Sequence, residues 1–153
     1  MTARLVVSSL SGAVLSISAS IPATYDAGGY AAISAGMTAV GQVENYGNHG
    51  VTAAVTEFTP IDTAVVAKVK GSKNYGTMTV QLGHLPGDSG QALVKTASES
   101  NNHYSVKLLY GDGGQHYLDV LVAKFEYVDG AVNDVQKVNV EFALCRAPVI
   151  VNP

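Results

Sequence analysis

The sequence predicts a mainly β fold, an antiparallel sandwich or barrel with one flanking α-helix (about 88–99) and one long loop (about 47–63). Three observations predict it. Apolar and polar residues alternate with a period of two in segment after segment, and Gly, Asn and Asp cluster between those segments. Only one stretch combines a helix cap with helical spacing. At 153 residues the chain is the right length for a single domain spanning 1–153.

The elements follow in order. Ala13, Leu15, Ile17 and Ala19 alternate with Val14, Ser16, Ser18 and Ser20 in a half-buried strand that Pro22 stops. Residues 23–32 read as a turn or a short helix, because Gly28 and Gly29 weaken anything longer. Thr38–Tyr46 reads as a second strand with Val40 and Val43 buried and an irregularity at Gly41. Val65, Ala67 and Val69 are expected to form a hairpin with Met78, Val80 and Leu82, turning through Gly71–Gly76. Asp88 can cap a helix, and Gln91 stands three residues on, at capping-box spacing. Leu93 and Ala97 then share a face until Ser, Glu and Asn end it. Three strands close the chain, at Tyr104–Tyr110, Gln115–Tyr127 and Val135–Cys145, the first two joined by Gly111-Asp112-Gly113-Gly114.

Two segments break the rule of one apolar face. In Gln115–Tyr127, Leu121, Ala123 and Phe125 fall on one side while Leu118, Val120 and Val122 fall on the other. Either the strand is covered by sheet and helix, or one side meets another subunit. Gly47–Thr63 has no steady period, yet it carries Val51, Val55, Phe58 and Ile61, too apolar for a solvated linker. The segment is expected to order against a partner, or else to hold a strand within Val51–Phe58.

Composition narrows the function. The chain is 47% hydrophobic but only 14% charged, against about 25% in average globular chains, so much of its surface must be covered by small and apolar residues. That is the composition of an assembly subunit. A net charge of −3 with no basic run excludes binding that works by neutralising phosphates. The apolar runs are too short to cross a bilayer, so no membrane insertion is expected. The stretch Met1–Leu10 imitates a signal peptide loosely, but serines interrupt it and it runs into a strand pattern. The lone Cys145 can form no intramolecular disulfide and reads as a small buried hydrophobe, which fits synthesis in the cytoplasm.

Candidate chemistry is thin. Gly87-Asp88-Ser89-Gly90 matches the tetrapeptide around the nucleophile of trypsin-like proteases, and His49 and Asp62 precede it. That chemistry needs a gathered triad and a larger scaffold, and a helix cap explains Asp88 more simply, so no enzyme activity is expected and a small serine hydrolase using Ser89 is a weak rival. His49, His84, His103 and His116 are scattered, with no metal-ligand spacing. No metal and no cofactor are expected.

The run Ser18-Ala19-Ser20-Ile21-Pro22-Ala23-Thr24-Tyr25-Asp26-Ala27-Gly28-Gly29-Tyr30-Ala31-Ala32 resembles the S-A-x-x-P-A-T-Y-D-A-x-G-Y-A-A signature of major tail tube proteins of lambda-like siphophages, those with long non-contractile tails. In the same order Val40-Gly41-Gln42-Val43, Lys68-Val69-Lys70-Gly71-Ser72, Gly76-Thr77-Met78-Thr79-Val80-Gln81-Leu82 and Asp88-Ser89-Gly90-Gln91-Ala92-Leu93 resemble further motifs of that family, over roughly residues 13–145. The chain departs from the common pattern at Asn48-His49-Gly50.

The resemblance implies a structural virion protein of the tail, in which six copies form a ring and rings stack into a tube around a lumen that conducts DNA during genome delivery. It implies as partners the chain itself, a tape-measure protein, tail terminator and tail-tip proteins, and genomic DNA that passes without specific binding. It implies that Gly47–Thr63 contacts the neighbouring ring, which makes Val51, Val55, Phe58, Pro60 and Ile61 the expected contact residues. Glu44, Glu126 and Glu141, on polar strand faces, are the expected lumen-facing acids, placed to repel DNA from the wall. A ring subunit of a contractile tail or a secretion tube is the alternative.

Overall fold

The computed structural model describes residues 7–153; most of the signal-like start, Met1–Val6, lies outside them. Among the described residues ten strands and two helices run in the order β1 (Val14–Ser18), α1 (Ala27–Ser34), β2 (Thr38–Val40), β3 (Val43–Asn45), β4 (Thr52–Phe58), β5 (Ala67–Asn74), β6 (Thr77–Gly83), α2 (Ser89–Glu99), β7 (Tyr104–Leu109), β8 (Gln115–Val128), β9 (Lys137–Leu144) and β10 (Val149–Val151).

Eight strands make one antiparallel sheet in the order β2-β1-β7-β8-β9-β6-β3, with β10 also on β8. The two ends of this path, β2 and β3, are separated in sequence only by Gly41 and Gln42. The sheet must therefore curl until its ends meet, which is a barrel. The irregularity expected at Gly41 is this corner, where Gln42 takes a left-handed backbone at φ 61. The opposite corner is β8, whose first half pairs with β7 and whose second half pairs with β9.

β8 also explains its own two-faced sequence. A bulge between Val122 and Lys124 shifts the side-chain alternation by one residue. Before it Leu118, Val120 and Val122 point inward; after it Phe125 lies opposite the buried Val140 and joins the same core. On the outer side of the first half, Tyr117 and Asp119 are buried rather than solvated, because α1 lies over them. Tyr30 of α1, 1% exposed, stacks on Tyr117 with ring centroids 5.0 Å apart. Arg146 sits 3.8 Å from the Tyr25 ring centroid and pairs with Asp119 at 3.2 Å.

The signature segment sets this helix. Asp26 caps α1 by accepting from Gly29 N at 2.7 Å and from the Thr24 hydroxyl at 2.9 Å. A Cβ on Gly29 would lie 1.9 Å from the Thr24 carbonyl oxygen, so only glycine lets the chain fold back there. The short-helix reading of residues 23–32 is thus the correct one, shifted to 27–34.

α2 begins where its cap predicts. Asp88 accepts from Gln91 N at 2.9 Å, and its other duty is the barrel corner, where it accepts from Gly41 N at 3.1 Å. Gln91, 4% exposed, donates to the Gly41 and Gly83 carbonyls at 2.9 and 2.8 Å and accepts from Leu85 N at 3.0 Å. Gly90 brings the helix against β2: a Cβ there would stand 2.1 Å from the Ala39 oxygen. Val94 and Ala97 complete the core with Leu15, Val80, Leu118, Val140 and Phe142. Asp88, Gly90 and Gln91 of the Gly-Asp-Ser-Gly-Gln string are thus a structural clasp, each demanded by packing or hydrogen bonding, whereas Gly87 and Ser89 are exposed.

Two expectations need correction. Val65–Val69 does not form a hairpin with Met78–Leu82: β5 pairs with β4, and β6 pairs with β9 and β3. The alternation in both segments was real, but period two does not say which strand is the partner. Gly47–Thr63 is not a structureless loop, since it contains β4, the alternative left open by its sequence.

Candidate assembly surface

The hairpin of β4 and β5 stands apart from the barrel as its own two-stranded sheet, and nearly every residue of both strands is exposed. The register places Phe58 opposite Ala67, Thr56 opposite Val69, and Glu57 opposite Lys68, the last pair 3.8 Å apart. A lone two-stranded ribbon is marginal in water, and this one shows water its apolar side chains. Val55 is 57%, Phe58 64% and Ile61 101% exposed, and Val51, Val65, Val66 and Val69 are exposed as well; only Pro60 is half-buried. A patch of that kind on one projecting element makes the hairpin the candidate interaction surface. Four of the five expected contact residues are therefore exposed and apolar, and Val65, Val66 and Val69 join them. Sequence reasoning missed those three because their alternation reads equally well as a strand facing its own core.

Glu44, Glu126 and Glu141 fall on one outer face of the sheet. Glu141 lies opposite Thr79 on one side and Lys124 on the other, and Glu126 opposite Asn139. Lys124 pairs with Glu126 at 2.5 Å and Lys137 with Glu44 at 2.9 Å. The face thus carries three carboxylates and two ammonium groups among threonines, Gln81 and Asn139.

Two of the scattered histidines meet. His49 Nε2 lies 2.8 Å from His116 Nδ1, and the Tyr110 hydroxyl lies 3.3 Å from the same atom. Burial lowers the pKa of both histidines, and His116 lowers that of His49 further. Tyr30 is pushed up to about 12 by burial and the nearby Asp119 charge. Among the described residues no three metal-ligating side chains gather. Ser89, His49 and Asp62 do not form a triad: His49 is engaged with His116, and Asp62 accepts from Thr63 N in the hairpin turn. Cys145 lies just past β9, half-buried, its thiol pKa raised chiefly by burial.

No family model matches the chain, and no curated protein matches it in sequence. Its backbone, however, is similar to that of solved structures. A chain of the anti-feeding prophage baseplate matches with a TM-score of 0.70 at 10% identity, covering 99% of this chain and 98% of that one. A chain from the sheath/tube terminator of an extracellular contractile injection system matches at 0.63 with 9% identity, covering 98% and 100%. The SPP1 tail tube matches at 0.55 with 13% identity, covering 92% and 77%. The chain has the tail tube fold.

That likeness bears on the fold class and not on the branch. The neighbours come from a contractile injection system as well as from a phage tail tube, so the backbone does not single out the long non-contractile tail that the sequence motifs resemble. In the tail tube fold of this chain, the motif residues Asp26, Gly29, Tyr30, Asp88, Gly90 and Gln91 all secure the two helices to the barrel. The motifs are therefore marks of architecture.

Proposed function

We propose that the chain is a major tail tube subunit, that six copies close into a ring, and that rings stack into a tube whose lumen conducts DNA during delivery from the virion. The observation that carries this reading is the projecting apolar hairpin on a tail tube barrel. An isolated subunit has nothing to cover it; a stacked one does. Burying roughly 400 Å² of such surface offers about 10 kcal/mol before the entropic cost of association. Head-to-tail stacking is heterologous, so it continues until a terminator caps it. The acidic, threonine-rich face bearing Glu44, Glu126 and Glu141 is the face assigned to the lumen: one carboxylate per copy exceeds the lysines there, which favours sliding over sticking for DNA. The tape-measure protein and the terminator and tail-tip proteins are its other partners, and the subunit acts as scaffold rather than as enzyme.

A second reading has its own support. The structures similar to this chain include the anti-feeding prophage baseplate and a contractile injection system, so a tube subunit inside a contractile sheath, or a secretion tube ring, uses the same barrel and hairpin. Negative-stain microscopy of the purified chain with its tape-measure protein tests the common claim. Hollow tubes with sixfold end views are expected; monomers only, and tails without a band of this mass, would refute it. Sheath protein beside the tube band in purified tails selects the contractile reading.

A further inference from the structure

The apolar side chains of the hairpin are uncovered in the single chain, and the opposite end of the barrel holds a cavity. β6 starts beside the hairpin base at Thr77 and ends at Gly83, roughly 20 Å away for a strand of that length. Just past that end, His84, Leu85, Pro86, Lys95, Phe125 and Tyr127 line a cavity of about 260 Å³. Its walls are aromatic: His84 meets Tyr127 edge to face at 5.3 Å between ring centroids, and Phe125 meets Tyr127 at 5.5 Å. Leu85 and Tyr127 are exposed within it. Two features mark it as incomplete in the single chain. His84 Nδ1 is buried without a hydrogen-bond partner, an uncommon state for a native polar atom. Lys95 has no carboxylate within 4.0 Å among the described residues, although Glu99 stands one helical turn on.

The hairpin turn offers the matching chemistry. Ile61 is fully exposed, and Asp62 beside it has no cationic partner among the described residues. The turn is already shaped: Ala64 N donates to the Pro60 carbonyl at 2.9 Å, Thr63 N donates to Asp62 Oδ1 at 2.9 Å, and Ala64 adopts φ 52. Little ordering entropy remains to be lost on docking.

We infer that the cavity beside His84 receives the hairpin turn of a second copy, with Ile61 against Leu85, Phe125 and Tyr127 and the Asp62 carboxylate on the Lys95 ammonium. The inference rests on the stacked-tube reading and deepens it by naming both halves of the ring-to-ring contact. Because plug and socket lie at opposite ends of one barrel, the contact is head-to-tail and propagates.

The test uses the full chain with its tape-measure protein, assayed by pelleting and microscopy. Asp62→Lys and Lys95→Asp each place like charges across the contact and are expected to cut pelletable tube about tenfold; the two together restore it to within about threefold of the parent. In a Cys145→Ser chain, Asp62→Cys with Lys95→Cys is expected to give an oxidation ladder of many chains, whereas either cysteine alone gives at most dimers. Normal tubes from both charge variants, with no ladder, would overturn the socket and leave the tube reading standing. A parent chain giving no tube, together with a double-cysteine chain giving no ladder, at any concentration, would overturn both.

Discussion

The side-chain amide nitrogen of Gln91 lies 2.9 Å from the carbonyl oxygen of Gly41, and through that contact the start of α2 holds the corner where the barrel closes. The same nitrogen reaches the Gly83 carbonyl and the amide oxygen takes Leu85 N, so one buried side chain joins β2, β6 and the entry to the helix. Gln91→Leu keeps the volume but strands two carbonyls and one N–H. Each stranded group costs about 1–3 kcal/mol, and partial relaxation leaves an expected loss of about 3 kcal/mol. Thermal unfolding checks it: Tm is expected to fall by roughly 10 °C for a chain of this size. A fall of under 2 °C would mean the clasp is ornamental.

Tyr30 and Tyr117 make the second anchor. With its ring parallel to Tyr117 within 11° and almost no exposed surface, Tyr30 holds α1 over the outer face of β8. Tyr30→Ala is expected to cost about 3–5 kcal/mol and to loosen Arg146, which contacts Tyr25 and Asp119. Tyr30→Phe keeps the ring and is expected to stay within about 1 kcal/mol of the parent. Denaturant midpoints of the two variants separate a packing role from a hydrogen-bonding one.

These two anchors also show what was legible in the sequence. The cap at Asp88, the buried rows Leu15 and Ile17, Met78 to Leu82 and Val138 to Leu144, and the break at Gly41 all follow from local periodicity and cap chemistry, and all are present. Strand partners were not legible. Adjacency and shared alternation suggest β5 with β6, whereas β5 pairs back onto β4 and β6 finds its partners β3 and β9 at least 36 and 54 residues away in sequence (81 − 45 and 137 − 83). The bulge after Val122 was hidden for a similar reason: an extra residue in one strand shows only against its partner. The His49–His116 contact spans 67 positions and leaves no spacing to read. What the hairpin touches was legible only as an excess of apolar residues without a core to enter.

That histidine pair predicts a pH dependence. For His116 Nδ1 to accept from both the Tyr110 hydroxyl and His49 Nε2, it must carry no proton. Burial holds the folded-state pKa of both residues below the ordinary value of 6.5. The unfolded chain takes up these protons near pH 6.5 and the folded chain only lower. Stability from the pair is therefore complete above that value and is lost as pH falls through the folded pKa values. Tm is expected to drop between pH 7 and pH 5, and less steeply in His116→Gln. Parallel Tm profiles for variant and parent would remove the pair as the cause. Because His49 stands at the hairpin base, hydrogen exchange of β4 is expected to quicken in the same interval.

The acidic face gives a prediction about passage rather than folding. Glu44→Gln, Glu126→Gln and Glu141→Gln together remove three carboxylates and leave Lys124 and Lys137 uncompensated on that face. All three acids are exposed or half-buried, so stability is expected to change by under about 1 kcal/mol, and tubes still form. If the face lines the lumen, it turns positive and holds phosphates, so DNA release from virions carrying the variant slows and regains speed at higher salt. Release at the parental rate at every salt concentration would place this face away from the DNA.

The hairpin prediction separates folding from assembly. Val55, Phe58 and Ile61 are exposed, and their sheet pairs only within itself. Substituting all three with serine removes apolar surface that the folded monomer does not bury. Such surface changes are worth about 0.5 kcal/mol or less each, so Tm is expected to move by no more than roughly 4 °C. If rings stack through this hairpin, the same side chains are covered in the tube, and their loss deletes the favourable term of stacking in every ring. Polymer is expected to vanish from the pellet while the monomer stays folded by circular dichroism. A large Tm drop would mean the hairpin leans on its own barrel in solution, and unchanged polymer would mean that stacking relies on another surface.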